Sequence, residues 1–514
     1  MLWRRGERRA LAGTVALYLL LPPGLIYLLS LPSTAFYTPA TNARYFLLFV
    51  PAWYVLLGLC VAGWWRHWRG GAAVLAIALV ALTGYFTLGY YDDRFKLDDY
   101  QTLTATIRAY AQPGDVIVLD PDTDWPVFLY HYHGDLPWVG LPHAEQMSVP
   151  EVSSLLEPVW TTHDRVWLVS SVKALAYDPE GNVPRWLGER SPQALNREYG
   201  EARLTLYTRQ PSPAGALTLA GNAQPQRRIA VHLGEGLTLV GYDQWLDRVN
   251  SGQVVYLTFW WRTEARAQGN YGLRLALVGD TGKVAAARTG IAMDDALPTS
   301  AWTPSRTYRG ESSFPIRVDV QSGRYHWLVE VVDSATGATV GRAVLGELVV
   351  VQTRRATRSI RAGIAHPVGA RLGDEVALVG YDDHRPEDQA NQIALAPGGE
   401  LRLTLLWRAL QPMEDNYTVF VHILGAVRNE ERGNYLWGQR DAVPGNGDLP
   451  TTGWSPGEEI IDQYTVKLDD DAPAGEYQIE VGMYERTSGR RLPVTTAEGP
   501  QEGDRILLSG IVVR

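Results

Sequence analysis

Two long uncharged stretches, separated by a short basic turn, place the strongest limits on how this chain folds. Residues 45–65 and 70–91 contain no acidic or basic side chain, and residues 66–69 between them read Arg-His-Trp-Arg. About 20 helical residues cross the roughly 30 Å hydrocarbon core of a bilayer. A soluble helix of this length carries a polar stripe at a period of 3.6 residues, and neither stretch has one. The sequence therefore predicts a transmembrane helical hairpin.

A third uncharged stretch, residues 10–31, precedes the hairpin and is interrupted by Pro22 and Pro23. Its basic leader resembles that of a secretory signal, but its apolar part is longer than the usual core of such a signal. Two readings stay open, a cleaved signal and a retained transmembrane helix, and the length favours the helix. Residues 1–91 are thus predicted to hold the membrane segments.

The arginines predict the orientation of these segments. Basic clusters lie at residues 4–9 and 66–69, whereas the loop at residues 32–44 holds Arg44 alone. Because cytoplasmic loops carry an excess of Lys and Arg, both clusters are predicted to be cytoplasmic. The chain is then expected to be a multi-pass protein of a bacterial plasma membrane, with a cytoplasmic N-terminus and with residues 92–514 on the extracytoplasmic side.

Charge and cysteine content exclude several classes of function. The net charge is −9, and residues 1–91 carry seven Arg against one Glu, a balance of +6 that leaves −15 for the rest. An acidic outer part argues against nucleic acid as a partner, because phosphates need basic patches. Cys60 is the only cysteine, so the chain forms no internal disulfide and no cysteine-based metal site. No cofactor is indicated.

Residues 92–210 show the alternation of helices and strands that is typical of a small α/β domain with a parallel or mixed sheet. The apolar spacing predicts helices at 98–111 and 125–132 and strands at 116–119, 166–169 and 202–207.

Two groups of potential metal ligands lie in this domain: Asp120, Asp122 and Asp124, and His131, His133 and Asp135. Three carboxylates after a strand end suit a hard cation, but the glycine and distal glutamate of a calcium loop are missing. A His-x-His pair points its rings to different faces of a helix. A solvated turn is therefore the favoured interpretation of the first group, and no metal site is predicted from either.

An internal repeat dominates the rest of the chain, after a Pro/Gly/Ala-rich linker at residues 211–224. The repeated blocks share an order and a growing offset of 139, 146 and 152 residues: 233–243 with 372–382, 256–262 with 402–408, 270–271 with 416–417, 297–302 with 449–454, and 323–325 with 475–477. Most alternate apolar and polar residues or end in turn residues, which is typical of antiparallel β-sandwiches. We expect two sandwiches, 225–352 and 353–514. The predicted fold class is thus multidomain: N-terminal transmembrane helices, an α/β domain and two all-β domains.

The tryptophans of the repeat are candidates for stacking on glycans. Trp261 and Trp407 occupy inward-facing positions and are predicted to lie in the cores. Trp302 and Trp454 follow Pro-Thr turns, where an exposed loop platform is one alternative. Trp260 points away from Trp261 and is the best candidate for an exposed ring, although an interface with a neighbouring domain explains it equally well.

Residues 37–51 carry a family resemblance, in the sequence Tyr-Thr-Pro-Ala-Thr-Asn-Ala-Arg-Tyr-Phe-Leu-Leu-Phe-Val-Pro. This stretch resembles the late membrane region of GT-C glycosyltransferases of the protein mannosyltransferase and aminoarabinose transferase type, in which an Arg-Tyr pair opens a helix. Residues 91–142 are similar to the extracytoplasmic α/β tail of bacterial members, and the repeated sandwiches resemble modules appended to some of them. The resemblance implies a polyprenyl-phosphate-sugar-dependent activity.

One departure from the family limits what the resemblance implies. The family's catalytic acid lies in its first extracytoplasmic loop, and the comparable loop here, residues 32–44, contains no Asp or Glu. No catalytic residue is therefore assigned, and this chain is not expected to be active alone. Arg44 is expected either to pair with a lipid phosphate or to anchor the chain at the interface.

The sequence thus leaves two hypotheses from different classes. The first is the C-terminal portion of a membrane glycosyltransferase, with membrane lipid, a polyprenyl-phosphate sugar and an upstream transferase subunit as expected partners. The alternative is a non-enzymatic cell-surface module that binds glycans or serves a structural role.

Overall fold

The computed structural model describes residues 50–91, 98–142, 147–209, 213–234, 236–353, 365–384, 393–430, 432–486, 488–501 and 503–514. Two compact units result: a helical hairpin within residues 1–93 and a large unit within residues 94–514. The large unit is a multidomain, mostly-β assembly with a small α/β region at its N-terminal end.

The helical hairpin consists of α1 (Val50–Trp65) and α2 (Arg69–Tyr91), which pack against each other across the basic turn. The Trp68 ring makes an edge contact with Trp64, at 5.7 Å between ring centroids. Within the part of the chain that is described, no helix has both the length and the apolar character needed to span a membrane. The spans at 45–65 and 70–91 stay predictions, and the stretch at 10–31 lies outside the described residues.

The α/β region contains a five-stranded mixed sheet in the order β2-β1-β3-β5-β4. Strands β1, β2 and β3 are parallel, and β5 and β4 continue the sheet antiparallel. The strands are β1 (Asp115–Asp120), β2 (Trp138–Gly140), β3 (Arg165–Ser171), β4 (Gln193–Tyr199) and β5 (Ala202–Thr208), and the helices are α3 (Tyr100–Tyr110), α4 (Trp125–His131), α5 (Val149–Thr162), α6 (Ala174–Tyr177), α7 (Asn182–Arg190) and α8 (Pro213–Ala216). The predicted helices and strands of this region are confirmed.

Helix α3 begins where its sequence provides a cap. The Asp99 side chain accepts a hydrogen bond from the Thr102 backbone N–H at 2.9 Å, which satisfies one of the free donors of the first turn. Leu103 and Ile107 then share one face of the helix and are buried against the sheet. Strand β1 is buried along its whole length, because helices cover one face of the sheet and α3 the other.

The first sandwich pairs the sheet β12-β9-β7-β6 with the sheet β11-β10-β13-β14-β8. Its strands are β6 (Arg227–His232), β7 (Leu237–Gln244), β8 (Arg248–Asn250), β9 (Val254–Thr263), β10 (Tyr271–Gly279), β11 (Val284–Ala292), β12 (Thr307–Pro315), β13 (Gly323–Asp333) and β14 (Thr339–Val351).

The second sandwich pairs the sheet β21-β18-β16-β15-β23-β24 with the sheet β17-β25-β22-β19-β20. Its strands are β15 (His366–Leu372), β16 (Val376–Asp382), β17 (Ile393–Leu395), β18 (Glu400–Ala409), β19 (Tyr417–Asn429), β20 (Asn434–Ala442), β21 (Glu459–Lys467), β22 (Gly475–Glu485), β23 (Val494–Thr496), β24 (Gly499–Pro500) and β25 (Ile506–Val513). Apart from β23 and β24, its strand order repeats that of the first sandwich.

The repeat extends to a shared irregularity in the strand pairing. Both copies shift register within the Leu-Val-Gly-Tyr-Asp block, so that Gly241 pairs with Trp260 and Gly380 pairs with Leu406. A side chain at Gly241 would lie 2.4 Å from Pro225, so this close approach requires glycine. The predicted cores are confirmed, because inward-facing residues of both sheets pack around Trp261 and around Trp407.

The segment predicted as a linker, residues 211–224, packs against the α/β region. Ala216 and Leu217 are buried in its core, and the Ala220 N–H donates to the Ala109 carbonyl at 2.8 Å. The described part of this connecting segment is therefore packed against the domain that precedes it. Its alanines and leucines bury apolar area, which the Pro/Gly content of the segment did not indicate.

Candidate functional site

The structure places Trp260 in a buried interface. Its ring lies on the outward face of β9 and is 2% exposed, and its Nε1–H donates to the Asp243 carboxylate at 3.0 Å. The ring shares a hydrophobic core with Leu103 and Ile107 of the α/β region. An exposed ring is therefore wrong, and the alternative that the sequence left open, an interface with the neighbouring domain, is what the structure contains.

Trp302 and Trp454 are buried in the cores of their sandwiches, at 1% and 0% exposure. Trp302 stacks on Tyr308 with 4.3 Å between ring centroids, and the Trp454 Nε1–H donates to the Leu449 carbonyl at 2.9 Å. The alternative of an exposed loop platform at these two positions is therefore wrong. These two rings do not meet solvent in this conformation, so their positions do not support glycan stacking.

A buried threonine explains why both turns lead inward. The hydroxyl of Thr299 accepts from the Tyr271 backbone N–H at 2.8 Å, and that of Thr451 accepts from the Tyr417 N–H at 2.9 Å. These bonds hold each Pro-Thr turn against the first residue of an earlier strand, β10 or β19, which directs the tryptophan into the core. In each copy, two separate blocks of the sequence repeat are thus joined by the same hydrogen bond.

The candidate metal ligands do not converge. Among the residues described, no three His, Cys, Asp or Glu side chains lie close enough together to hold a metal ion. Asp124 instead pairs with Lys173 at 2.7 Å, and the His131 ring stacks on Tyr100. Burial, reinforced by Asp178, raises the pKa of Asp120 to about 7. Arg44, the candidate for a lipid phosphate, lies outside the described residues.

The interface that covers Trp260 contains a buried network of charges. Arg309 on β12 pairs with Asp295 and with Glu311, both at 3.1 Å, and all three side chains are almost fully buried. Arg197 of the α/β region pairs with the same two carboxylates, and Thr106 of α3 hydrogen-bonds both Arg309 and Glu311. Burial lowers the pKa of Arg309, but the surrounding acidic groups outweigh burial and raise it. Arg309 therefore keeps its positive charge in this interface.

Three tyrosines add hydrogen bonds across this domain boundary, two of them to the network's carboxylates. The Tyr110 hydroxyl donates to Asp295 at 2.8 Å, and the Tyr199 hydroxyl donates to Glu311 at 3.2 Å. The Tyr256 hydroxyl of the first sandwich accepts from the Gly200 N–H at 2.6 Å. Because hydrogen bonds to charged groups in a dry interface are strong, the α/β region and the first sandwich form one body.

A second set of charges lies where the α/β sheet meets the second sandwich. Glu201 lies beside Asp98, Asp124 and Lys173 of the α/β region and beside Asp448 of the second sandwich. Burial, followed by Asp98 and Asp448, raises the pKa of Glu201 to about 8. These like charges make the contact sensitive to pH.

A polar cleft of about 770 Å³ opens between the α/β region and the second sandwich. Strand β20, an edge strand of its sheet, packs against α6 at this boundary. The Gln439 side chain donates to the Pro179 carbonyl, and Arg432 pairs with Glu180 at 3.3 Å, so both contacts cross the cleft. The volume lies within the range of small-ligand sites, which often occur at domain interfaces.

Side chains that line this cleft are fixed by their own hydrogen bonds. Asn182 is buried, and its Nδ2 donates to the Met147 carbonyl at 2.9 Å. Arg432 forms two hydrogen bonds to Asp469, at 2.7 and 3.1 Å. Arg440 is half-buried and donates to Asn446 at 2.7 Å, and among the described residues no carboxylate lies within ion-pair distance of it. Burial lowers the pKa of Arg440.

Comparison with known proteins adds distant similarities only. No protein-family model matches the sequence, and no curated protein matches it either. Among solved structures, E. coli alpha-2-macroglobulin is similar over 61% of this chain and 17% of its own, at 10% identity and a TM-score of 0.16. A putative membrane anchored protein from Corynebacterium diphtheriae is similar over 58% of this chain and 63% of its own, at 10% identity and a TM-score of 0.16. A DUF4785 family protein from Legionella pneumophila is similar over 59% of this chain and 65% of its own, at 8% identity and a TM-score of 0.15. The chain thus spans less than two thirds of each of these proteins.

Proposed function

We propose that this chain is a membrane-anchored extracytoplasmic arm, the C-terminal portion of a polyprenyl-phosphate-sugar-dependent glycosyltransferase, which braces the transferase without supplying its catalytic acid. The uncharged hairpin anchors the arm through residues 1–91, and the Arg-rich turn stays in the cytoplasm. The α/β region and the two sandwiches then lie outside the cell.

The single observation that supports the proposed arm most strongly is the buried network around Arg309. A glycan-binding module on a flexible tether needs no charged contact with its neighbour, and flexible attachment is the default for domains in one chain. Here Asp295, Glu311 and Arg197 lock the first sandwich to the α/β region through ion pairs and a shared core. Rigid attachment favours a bracing role over a mobile one.

The alternative is a non-enzymatic module that binds glycans through tryptophans, and the positions of the candidate tryptophans do not support it. Trp260, Trp302 and Trp454 are all buried. A purely structural role remains compatible with the rigid arm, and it differs from the proposal only in whether a transferase is its partner.

Cysteine labelling tests the orientation, because Cys60 is the only native cysteine. We introduce Gln463→Cys, an exposed position on β21, into a Cys60→Ala background and treat spheroplasts with a membrane-impermeant maleimide. Labelling before lysis is expected. His67→Cys, at the exposed turn between the two helices, is the matched control and reacts only after lysis. The reverse pattern contradicts the proposal.

The DNA immediately before Met1 tests the link to a transferase. We expect an adjacent reading frame with several spans and an acidic residue in its first extracytoplasmic loop. If no such frame is present, the transferase partner is rejected and the anchored arm alone is retained.

A further inference from the structure

We propose that the cleft between the α/β region and the second sandwich binds an uncharged oligosaccharide. This inference deepens the proposed function by naming a ligand class, and it rests on that function only for the side of the membrane on which the cleft meets its ligand. The binding itself follows from the chemistry of the cleft walls.

The charges that line the cleft nearly cancel. They are the cations Arg432, Arg440 and Lys467 and the carboxylates Glu180, Asp469, Asp470 and Asp471. Most are already paired: Arg432 with Glu180 and Asp469, and Lys467 with Asp470 at 3.3 Å. Such a lining creates no strong field of either sign, so it selects neither an anion nor a cation.

The walls instead present fixed donors and acceptors. Arg440 has no carboxylate partner among the described residues, and its guanidinium has more N–H groups than its one bond to Asn446 uses. Arg440 is half-buried, so part of its side chain remains exposed in the cleft. Sugar hydroxyls both donate and accept, so they match a wall in which paired carboxylates lie near the Arg440 guanidinium and its remaining N–H groups.

The cleft is also preformed and lies between rigid elements. The Gln439 and Arg432 contacts tie its two sides together before any ligand arrives. Val149 and Pro150, in the first turn of α5, add a small apolar patch that suits the C–H face of a sugar ring. Preformed polar walls reduce the ordering cost of binding.

Isothermal titration of the full chain, purified in a detergent without a sugar headgroup, tests the proposal. The probes are maltotriose, cellotriose, mannotriose and chitotriose, which differ in linkage and in sugar. We expect saturable binding of at least one. Arg440→Ala is expected to weaken that binding about tenfold or more, because it removes charge-assisted hydrogen bonds.

Two further variants keep the test decisive. Thr465→Trp, at an exposed position of the lining, is expected to abolish binding by filling the cleft while every native contact of the walls remains. Arg262→Ala, an exposed arginine of the first sandwich, is the matched control and should bind as the native protein does. The thermal transition of each variant is recorded to show that it is folded. If Arg440→Ala is unfolded, the result with Thr465→Trp decides the test.

The proposal is overturned if none of the four sugars binds, or if Arg440→Ala and Thr465→Trp both bind like the native chain. Neither result bears on the maleimide labelling pattern. Failure of the cleft and failure of the anchored arm are therefore distinguishable.

Discussion

Arg309→Met removes the cation at the centre of the network that joins the α/β region to the first sandwich. Methionine keeps most of the side-chain length, so the change removes charge more than volume. Asp295 and Glu311 then face each other in a dry interface with Arg197 as their remaining cation. Breaking one partner of a buried ion pair costs about 3–5 kcal/mol, because the other charge loses its compensation.

Urea titration of the full chain in detergent, followed by tryptophan fluorescence, measures this loss. Trp260 contributes to this signal together with the other tryptophans of the chain, and its ring lies 6.0 Å from the Arg309 guanidinium. We expect the free energy of unfolding to fall by about 3 kcal/mol or more.

Gln463→Ala is the matched control in the second sandwich. Gln463 pairs with Thr404 as Glu311 pairs with Thr258, so the two residues hold equivalent positions in the repeat. Gln463 is exposed, and its loss is expected to change stability by less than about 0.5 kcal/mol. If Arg309→Met shifts the transition no further than this control, the network does not hold the domains together and the bracing argument fails.

Three other perturbations have defined outcomes. Trp454→Ala should lower the free energy of unfolding by about 3–5 kcal/mol, measured by the same titration, because it empties a fully buried site; unchanged stability would contradict its core position. Burial raises the pKa of Glu201 to about 8 from 4.5, so its contribution to stability is present below pH 4.5 and is lost as the pH rises through 8. Glu201→Gln should therefore raise the stability at pH 9 by about 2 kcal/mol in thermal scans across pH, and a pH profile identical to the native one would refute the assignment. Burial lowers the pKa of His422, but hydrogen bonds to Asp441 and Glu480 raise it to about 9 from 6.5. The stability that His422 contributes is present below pH 6.5 and is lost as the pH rises through 9, so His422→Gln should flatten that part of the profile, and a slope that persists unchanged would exclude this pair.

Local patterns in the sequence were enough to predict the strands and the repeat. The alternation at 401–408 predicts a half-buried strand, and β18 runs over Glu400–Ala409 with Leu403, Leu405 and Trp407 in the core. The same reasoning predicts α3 from the spacing of Leu103 and Ile107. Period and turn residues act over a few positions, so one sequence contains that information.

Contacts between domains were not predictable in this way. Arg309 and Glu311 alternate with inward-facing residues, which in one strand reads as a solvated face. The burial of Trp302 was not predictable either, because a Pro-Thr turn suggests a loop, whereas the Thr299 hydroxyl accepts from a backbone N–H 28 residues earlier in the chain. The repeat itself contained a signal for the interface at Trp260, because this tryptophan aligns with a leucine, Leu406, in the second copy.

The difference between the two copies is an argument for the docking role of the first. Their inward positions are equivalent, as Trp261 and Trp407 illustrate, so the sandwich fold does not require the outward faces to differ. Yet the outward face of β9 and β12 carries Trp260 and Arg309, where that of β18 and β21 carries Leu406 and Ile461. The face that differs is the one that the α/β region covers in the first copy.

The second sandwich meets the α/β region through other elements. Its contacts run through the edge strand β20, through the turn at Pro444–Gly447, and through Arg486, which pairs with Glu198 at 3.4 Å. An edge strand and a turn cannot seal a flat interface as two sheet faces do, so a gap remains between them. The cleft is thus a consequence of docking the second copy by its edge, and its polar walls are the rim of that contact.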